Sequence, residues 1–252
     1  MIRFSLFAFF ALIVSVPASA EVASNPIRVT AIGDSITVGY AADVGNGRPT
    51  RFQDSFDAVG ANVEASVVAV GGINAAGYVN QGFLDQALAT APDIVVVNLG
   101  ANDSSRWVSD PNSIGWYKEH YNEILDGLFS LEKPPEVIIS TVLPFAPYDP
   151  VADPVRHLTA QAVVNEINPW LIQRADETGA VLADQYTRWL NKPFFENAFS
   201  DAVHPRPIFR DELAADYRDE VLAVASTIAV PEPNAVLLLS ALSCLGMLRR
   251  RR

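Results

Sequence analysis

Residues 93–103 read DIVVVNLGAND, and this stretch decides the fold. Ile94 to Val97 is an unbroken run of β-branched residues with no polar alternation. Such a run is the pattern of a strand covered on both faces, which is the situation of a strand inside a parallel sheet. Gly100 ends the run, and Ala101-Asn102-Asp103 opens whatever follows. Working outward, residues 27–32 (IRVTAI) form a similar run closed by Gly33, and residues 63–70 (VEASVVAV) one closed by Gly71-Gly72. Residues 137–143 (VIISTVL) end at Pro144, and residues 181–184 are a short fifth candidate. Between these runs the spacing turns helical, around residues 79–89, 116–131, 155–177 and 210–226, with a kink or break expected at Pro169. Alternating strands and helices predict a parallel sheet with helices on both faces. The expectation is one α/β domain over residues 21–229, in three α/β/α layers around a five-stranded, mainly parallel sheet. No repeat, low-complexity segment or interdomain linker divides it.

Composition narrows the function. Of 252 residues, half are apolar and 19% charged, which excludes intrinsic disorder and supplies a full core. The net charge is −11, and there is no basic run inside the domain. Nucleic acid is therefore excluded as a partner, because phosphate contacts need clustered Lys and Arg. Cys244 is the single cysteine, so no intramolecular disulfide or cysteine zinc site is available.

The two ends read as addresses. Residues 1–20 place Arg3 before an apolar run, then Pro17 and Ala18-Ser19-Ala20, the pattern of a secretory signal cleaved after Ala20. A membrane anchor is the alternative, but the run is short for a span. At the other end Pro231-Glu232-Pro233 precedes an apolar stretch, residues 235–248, closed by Arg249 to Arg252. Fourteen residues fall short of the roughly 20 that span a bilayer. This tail, residues 230–252, resembles the PEP-CTERM sorting signal of Gram-negative bacteria that make exopolysaccharide. The resemblance implies processing by an exosortase-type enzyme and transient membrane contact through residues 235–248. The expected location is the periplasm, the cell surface or the medium.

Four short motifs fall just after strands, where ligand chemistry gathers in parallel sheets. Gly33-Asp34-Ser35-Ile36 follows the first run; the serine either presents its hydroxyl beside a helix N-terminus or caps that helix. Gly100-Ala101-Asn102-Asp103 offers the Asn102 amide as a neutral donor for a developing oxyanion, or forms a turn. Residues 71–77 (GGINAAG) offer a glycine N–H for the same purpose, or a tight strand-to-helix turn. Asp201-Ala202-Val203-His204, followed by Pro205 and Pro207, brings a carboxylate and an imidazole together in a non-helical turn. His120 and His157 lack such a partner and read as ordinary surface or helix-face histidines.

Taken together and in this order, the blocks resemble the SGNH hydrolase superfamily, the GDSL-like esterases and lipases, over about residues 27–227. The resemblance implies a flavodoxin-like fold with Ser35 as nucleophile, His204 as general base then acid, and Asp201 as its orienter. Asn102, a glycine and the Ser35 N–H would form the oxyanion hole. Ile36 stands where the namesake leucine would be, and the usual close glycine spacing is absent. Both Gly77 and Gly72 therefore stay open, with Gly77 favoured because the helix pattern begins just after it. No metal or cofactor is implied. The implied reaction is ester hydrolysis through an acyl-enzyme, on a short O-acyl ester such as acetyl on carbohydrate. The alternatives are a lysophospholipid or thioester substrate, or a non-catalytic glycan-binding role on the same fold. Trp107, Trp116, Tyr117, Phe145 and Tyr148 are candidates to line a sugar platform or an acyl cleft, or to pack in the core.

Overall fold

The computed structural model describes residues 25–41, 50–110 and 112–228; the expected leader and tail lie outside the described residues. In chain order the elements are β1 (Ile27–Gly33), α1 (Ser35–Ala41), α2 (Thr50–Asp57), β2 (Val63–Ala69), α3 (Ala75–Asn80), α4 (Phe83–Ala89) and β3 (Ile94–Asn98). They continue with α5 (Ala101–Trp107), α6 (Ser113–Phe129), β4 (Glu136–Ser140), α7 (Pro154–Ala162), α8 (Asn168–Thr178), β5 (Val181–Ala183), α9 (Gln185–Leu190) and α10 (Pro207–Ile228). The strands form one sheet in the order β2-β1-β3-β4-β5, and all its pairings are parallel. After β1 the chain crosses to one side for β2 and later returns to the other side for β3. The carboxyl ends of β1 and β3 therefore flank the switch point at which open α/β sheets place their ligands.

β3 is buried along its whole length, and its side chains alternate between two cores. Ile94 and Val96 join Tyr40, Phe52, Phe56 and Tyr217 beneath α1, α2 and α10. Val95 and Val97 join Tyr117, Tyr121, Leu125 and Leu128 beneath α6. This period of two explains why a strand whose run Ile94–Val97 is apolar on both faces is stable only between helical layers.

Three helical expectations change in detail. The stretch around residues 79–89 is two helices, because Gly82 adopts a left-handed φ of +76° between them. The long helix is interrupted before Pro169 by a π-helical turn, Val163–Ile167, in which the Asn168 N–H reaches Val163 O. That turn delivers the Asn168 side chain to the chain leaving β4, where Oδ1 accepts from Val142 N at 2.8 Å and Nδ2 donates to Val142 O at 3.1 Å. The last helix begins at Pro207 rather than Arg210, since a proline in the first turn sacrifices no helical hydrogen bond. Among the described residues no helix is long and apolar enough to cross a membrane.

Gly33 joins the two central strands without room for a side chain. A Cβ there would lie 1.9 Å from Thr37 Oγ1 and 2.6 Å from Asn98 O, and the second contact is with backbone that cannot rotate away. Gly33→Ala is expected to destabilise the fold by about 1–3 kcal/mol, the usual penalty of overpacking. Urea denaturation checks this; an unchanged midpoint would contradict the packing described.

Candidate active site

β1 delivers Ser35 as the first residue of α1, and the preceding Asp34 takes the capping role: its Oδ1 accepts from Ile36 N at 2.9 Å. The serine hydroxyl is thereby left for a distant partner. His204 Nε2 lies 2.8 Å from Ser35 Oγ, across 169 positions of sequence. On the other side of the ring, His204 Nδ1 lies 2.8 Å from Asp201 Oδ2. Asp201 uses its second oxygen locally, with Oδ1 accepting from Val203 N and from His204 N, each at 2.9 Å. The short D-x-x-H spacing is thus a self-closing turn, in which one carboxylate oxygen folds the loop and the other holds the imidazole. Ser200 N donates to His204 O and Arg206 N to Ala198 O, and Phe199 bridges to Pro205, so the loop is clamped at its neck. Arg210 Nε donates to Pro205 O at 3.2 Å while its side chain lies over Gly39 of α1, tying the loop to the helix that carries Ser35.

The structure brings Asn102 to the same place from the first turn of α5. Its Nδ2 donates to Ile73 O at 2.8 Å and to Asp34 Oδ2 at 3.3 Å. The glycine segment approaches on the third side. A Cβ on Gly71 would lie 3.9 Å from Ser35 Cβ, which makes Gly71, the first residue of the 71–77 segment but not one of its two preferred candidates, a close neighbour of the serine. Gly72 adopts a left-handed φ of +76° in the same turn. Gly77 does not fit the role expected of it. It is the third residue of α3, and its N–H is bonded to Asn74 Oδ1 at 2.9 Å as part of the helix cap. The signal is legible, since an Asn three residues before a candidate donor is the spacing of an N-cap.

Two buried carboxyls behind the serine carry no such signal in the sequence. Asp34 is 1% exposed and Asp103 is 4% exposed. Asp103 accepts from Ala75 N through both oxygens at 3.3 Å, pinning the start of α3. Burial pushes Asp34 up to about 7 against the opposing Ile36 N–H, with nearby Asp103 adding to the rise and His204 opposing it. Burial likewise pushes Asp103 up to about 6, opposed by the Ala75 N–H. Asp201 differs: burial lifts it, but hydrogen bonds from Val203 N, His204 N and the His204 ring outweigh this and leave it lowered.

Of the aromatic candidates, Tyr117 belongs to the core, 1% exposed, with its hydroxyl donating to Leu99 O at 3.1 Å. Trp107 packs against that same core, and Trp116 is exposed on α6. Phe145 and Tyr148 instead line a groove on the loop after β4. His120 Nδ1 lies 2.8 Å from Trp116 O within α6, and His157 Nδ1 lies 3.3 Å from Tyr148 Oη. Among the described residues no group of three or more His, Cys, Asp or Glu converges in metal-ligand fashion.

A hydroxyl, an imidazole and a carboxylate in hydrogen-bonded series, beside a neutral amide donor, can generate an alkoxide-like nucleophile and receive the oxyanion it creates. The chain belongs to the GDSL-like lipase/acylhydrolase family, whose profile matches residues 31–208, from β1 to the start of α10. It is 27% identical over 239 residues to an acetylxylan esterase of Xylanibacter ruminicola, covering 84% of this chain. The chain spans 45% of that relative's length. Its fold is that of a lipase/acylhydrolase from Enterococcus faecalis (TM-score 0.63, 20% identity, 77% of this chain and 95% of the other). It is also that of an acetylxylan esterase from Geobacillus stearothermophilus (TM-score 0.59, 21% identity, 77% and 94%).

A carboxyl whose folded pKa lies above its unfolded one keeps a proton that the unfolded chain has already released. Asp34 therefore makes the fold less stable as pH rises from about 4 to about 7, where its cost is complete. Asp34→Asn retains an acceptor for Ile36 N and removes that cost. Its stability relative to the native protein is expected to be higher at pH 8 than at pH 5, by more than about 1 kcal/mol. Urea denaturation at both pH values checks this, and an identical difference at the two would contradict it.

Proposed function

We propose that the chain is an exported serine esterase that removes short O-acyl groups, acetyl foremost, from carbohydrate. The observation that carries the chemistry is the continuous hydrogen-bond series from Ser35 Oγ through His204 to Asp201, with Asn102 alongside. His204 Nε2 takes the Ser35 proton as Oγ attacks the ester carbonyl. Asp201 holds the proton on Nδ1 and stabilises the imidazolium formed. Asn102 Nδ2, the Ser35 N–H and a backbone N–H of the Gly71-Gly72 turn receive the oxyanion, with Gly72 the donor retained from the sequence. The C–O bond to the alcohol then breaks, and His204 gives its proton to the leaving oxygen. Water enters, loses a proton to His204 and attacks the acyl-enzyme carbonyl; the bond from Ser35 Oγ to the acyl carbon then breaks, His204 returns the proton to Oγ, and the carboxylic acid leaves.

The Asn102 amide bonds to Ile73 O and more distantly to Asp34. The longer of these contacts is the one an oxyanion would replace. Two features support the carbohydrate ester: the likeness to an acetylxylan esterase, and the tail's resemblance to a sorting signal of exopolysaccharide producers. The latter, with the leader at residues 1–20, also supports work outside the cytoplasm, after processing by an exosortase-type enzyme.

On p-nitrophenyl acetate, Ser35→Ala and His204→Ala are expected to lose several orders of magnitude in kcat, and Asn102→Ala about 10²–10³. Near-native turnover in Ser35→Ala would overturn the mechanism. A preference for p-nitrophenyl octanoate over acetate, abolished in Ser35→Ala, would keep the chemistry and move the substrate to lipid.

A further inference from the structure

We propose that the aromatic groove beside the Asp201–His204 loop is the subsite for the sugar units flanking the acylated one, which rests on the reading of the chain as a carbohydrate esterase. The groove encloses about 370 Å³ between the loop after β4, α7, α9 and the turn that follows α9. Its size falls within the roughly 300–1,000 Å³ usual for small-ligand sites. Phe145, Tyr148, Tyr186 and Phe195 line it with Pro147 and Gln161.

Position is the first argument. The groove's walls are bonded to the loop that carries His204: Ala146 N donates to Ala202 O at 2.9 Å. The Phe195 ring meets Phe199 edge-on at 5.8 Å between centroids, and Phe199 is the residue bridged to Pro205. A chain whose ester sits at Ser35 and runs past His204 therefore continues over these walls. By contrast, the larger cavity of about 580 Å³ around Arg28, Asp93 and Lys133 opens at the amino ends of β1 and β3, away from the serine.

Chemistry is the second argument. Phe145, Tyr186 and Phe195 pack one side against the cores and stay half-buried, as Tyr148 does, so all four keep surface exposed along the groove. Ring and proline faces match the C–H faces of a pyranose, while the Tyr186 hydroxyl and the Gln161 NH2 match its hydroxyls. A long acyl chain would cover the Tyr186 hydroxyl and the Gln161 NH2 without offering either a hydrogen bond, at a cost. Among the described residues no charged side chain lines the groove, and the protein as a whole carries −11. Both features favour a neutral polysaccharide over an acidic one. The Tyr148 ring is held in place from two sides, with Arg156 at 5.8 Å from its centre and His157 Nδ1 at 3.3 Å from its hydroxyl.

The test compares native protein with Tyr148→Ala and Tyr148→Phe on acetylated xylo-oligosaccharides, p-nitrophenyl acetate and p-nitrophenyl octanoate. Tyr148→Ala is expected to raise KM for the oligosaccharide roughly three- to tenfold, with Tyr148→Phe close to native. Turnover of p-nitrophenyl acetate should stay within about twofold in both variants. An unchanged oligosaccharide KM in Tyr148→Ala, or an equal loss on both acetyl esters, would overturn the subsite while leaving the esterase intact. A loss confined to the octanoate would overturn it too, making the groove an acyl cleft. Native protein that cleaves p-nitrophenyl acetate but no acetylated sugar would overturn the carbohydrate reading, and the subsite with it.

Discussion

The parallel pairing of β1 with β3, in a register that sets Gly33 opposite Asn98, is the constraint on which the remainder depends. It brings the two turns after these strands side by side at the switch point of the sheet. Ser35 rises from one turn and Asn102 from the other, and Asp34 accepts from Asn102 between them. The contact leaves no volume for a side chain at Gly33, so the site's width is set by backbone packing and not by flexible side chains. Every other contributor is brought to this fixed pair.

The third contributor comes from far along the chain, and its delivery is local. Asp201 folds its own loop and orients His204, while Arg210 ties that loop to α1. A hydrogen-bonded Ser-His-Asp series split across 169 positions thus depends on one long-range contact, Ser35 to His204, with the geometry on either side set by short-range hydrogen bonds. Division of labour extends to adjacent residues: Asp34 caps α1, leaving the neighbouring hydroxyl free for chemistry. Of the two readings that Gly-Asp-Ser carries in sequence, the helix cap falls to Asp34, which leaves Ser35 available for the proposed role of nucleophile.

What the sequence makes legible follows from range. The central strand can be read because a doubly covered strand is apolar on both faces, and β1, β2 and β4 because their largely apolar runs end at Gly33, Gly71-Gly72 and Pro144; the ends of β1 and β3 locate Ser35 and Asn102. Asp201 and His204 can be read because their partnership spans three residues. Gly77 misleads because its identity draws attention while Asn74, the residue that consumes its N–H, does not. α2 leaves little trace because only Phe52 and Phe56, one turn apart, mark its buried face. The π turn before Pro169 has no legible signature beyond the proline, since it is fixed by the Asn168 contacts to Val142 across the sheet edge. The burial of Asp34 and Asp103 is a property of assembled layers, and no local pattern announces it.

Acylation of Ser35 is the step on which the proposed chemistry turns. The most direct measurement treats the protein with a fluorophosphonate, which phosphonylates an activated serine, and maps the adduct by peptide mass spectrometry. One adduct per chain on Ser35, absent in Ser35→Ala and formed far more slowly in His204→Ala, is the predicted result. An adduct on another residue, or full esterase activity in a protein that Ser35 labelling leaves uninhibited, would contradict it.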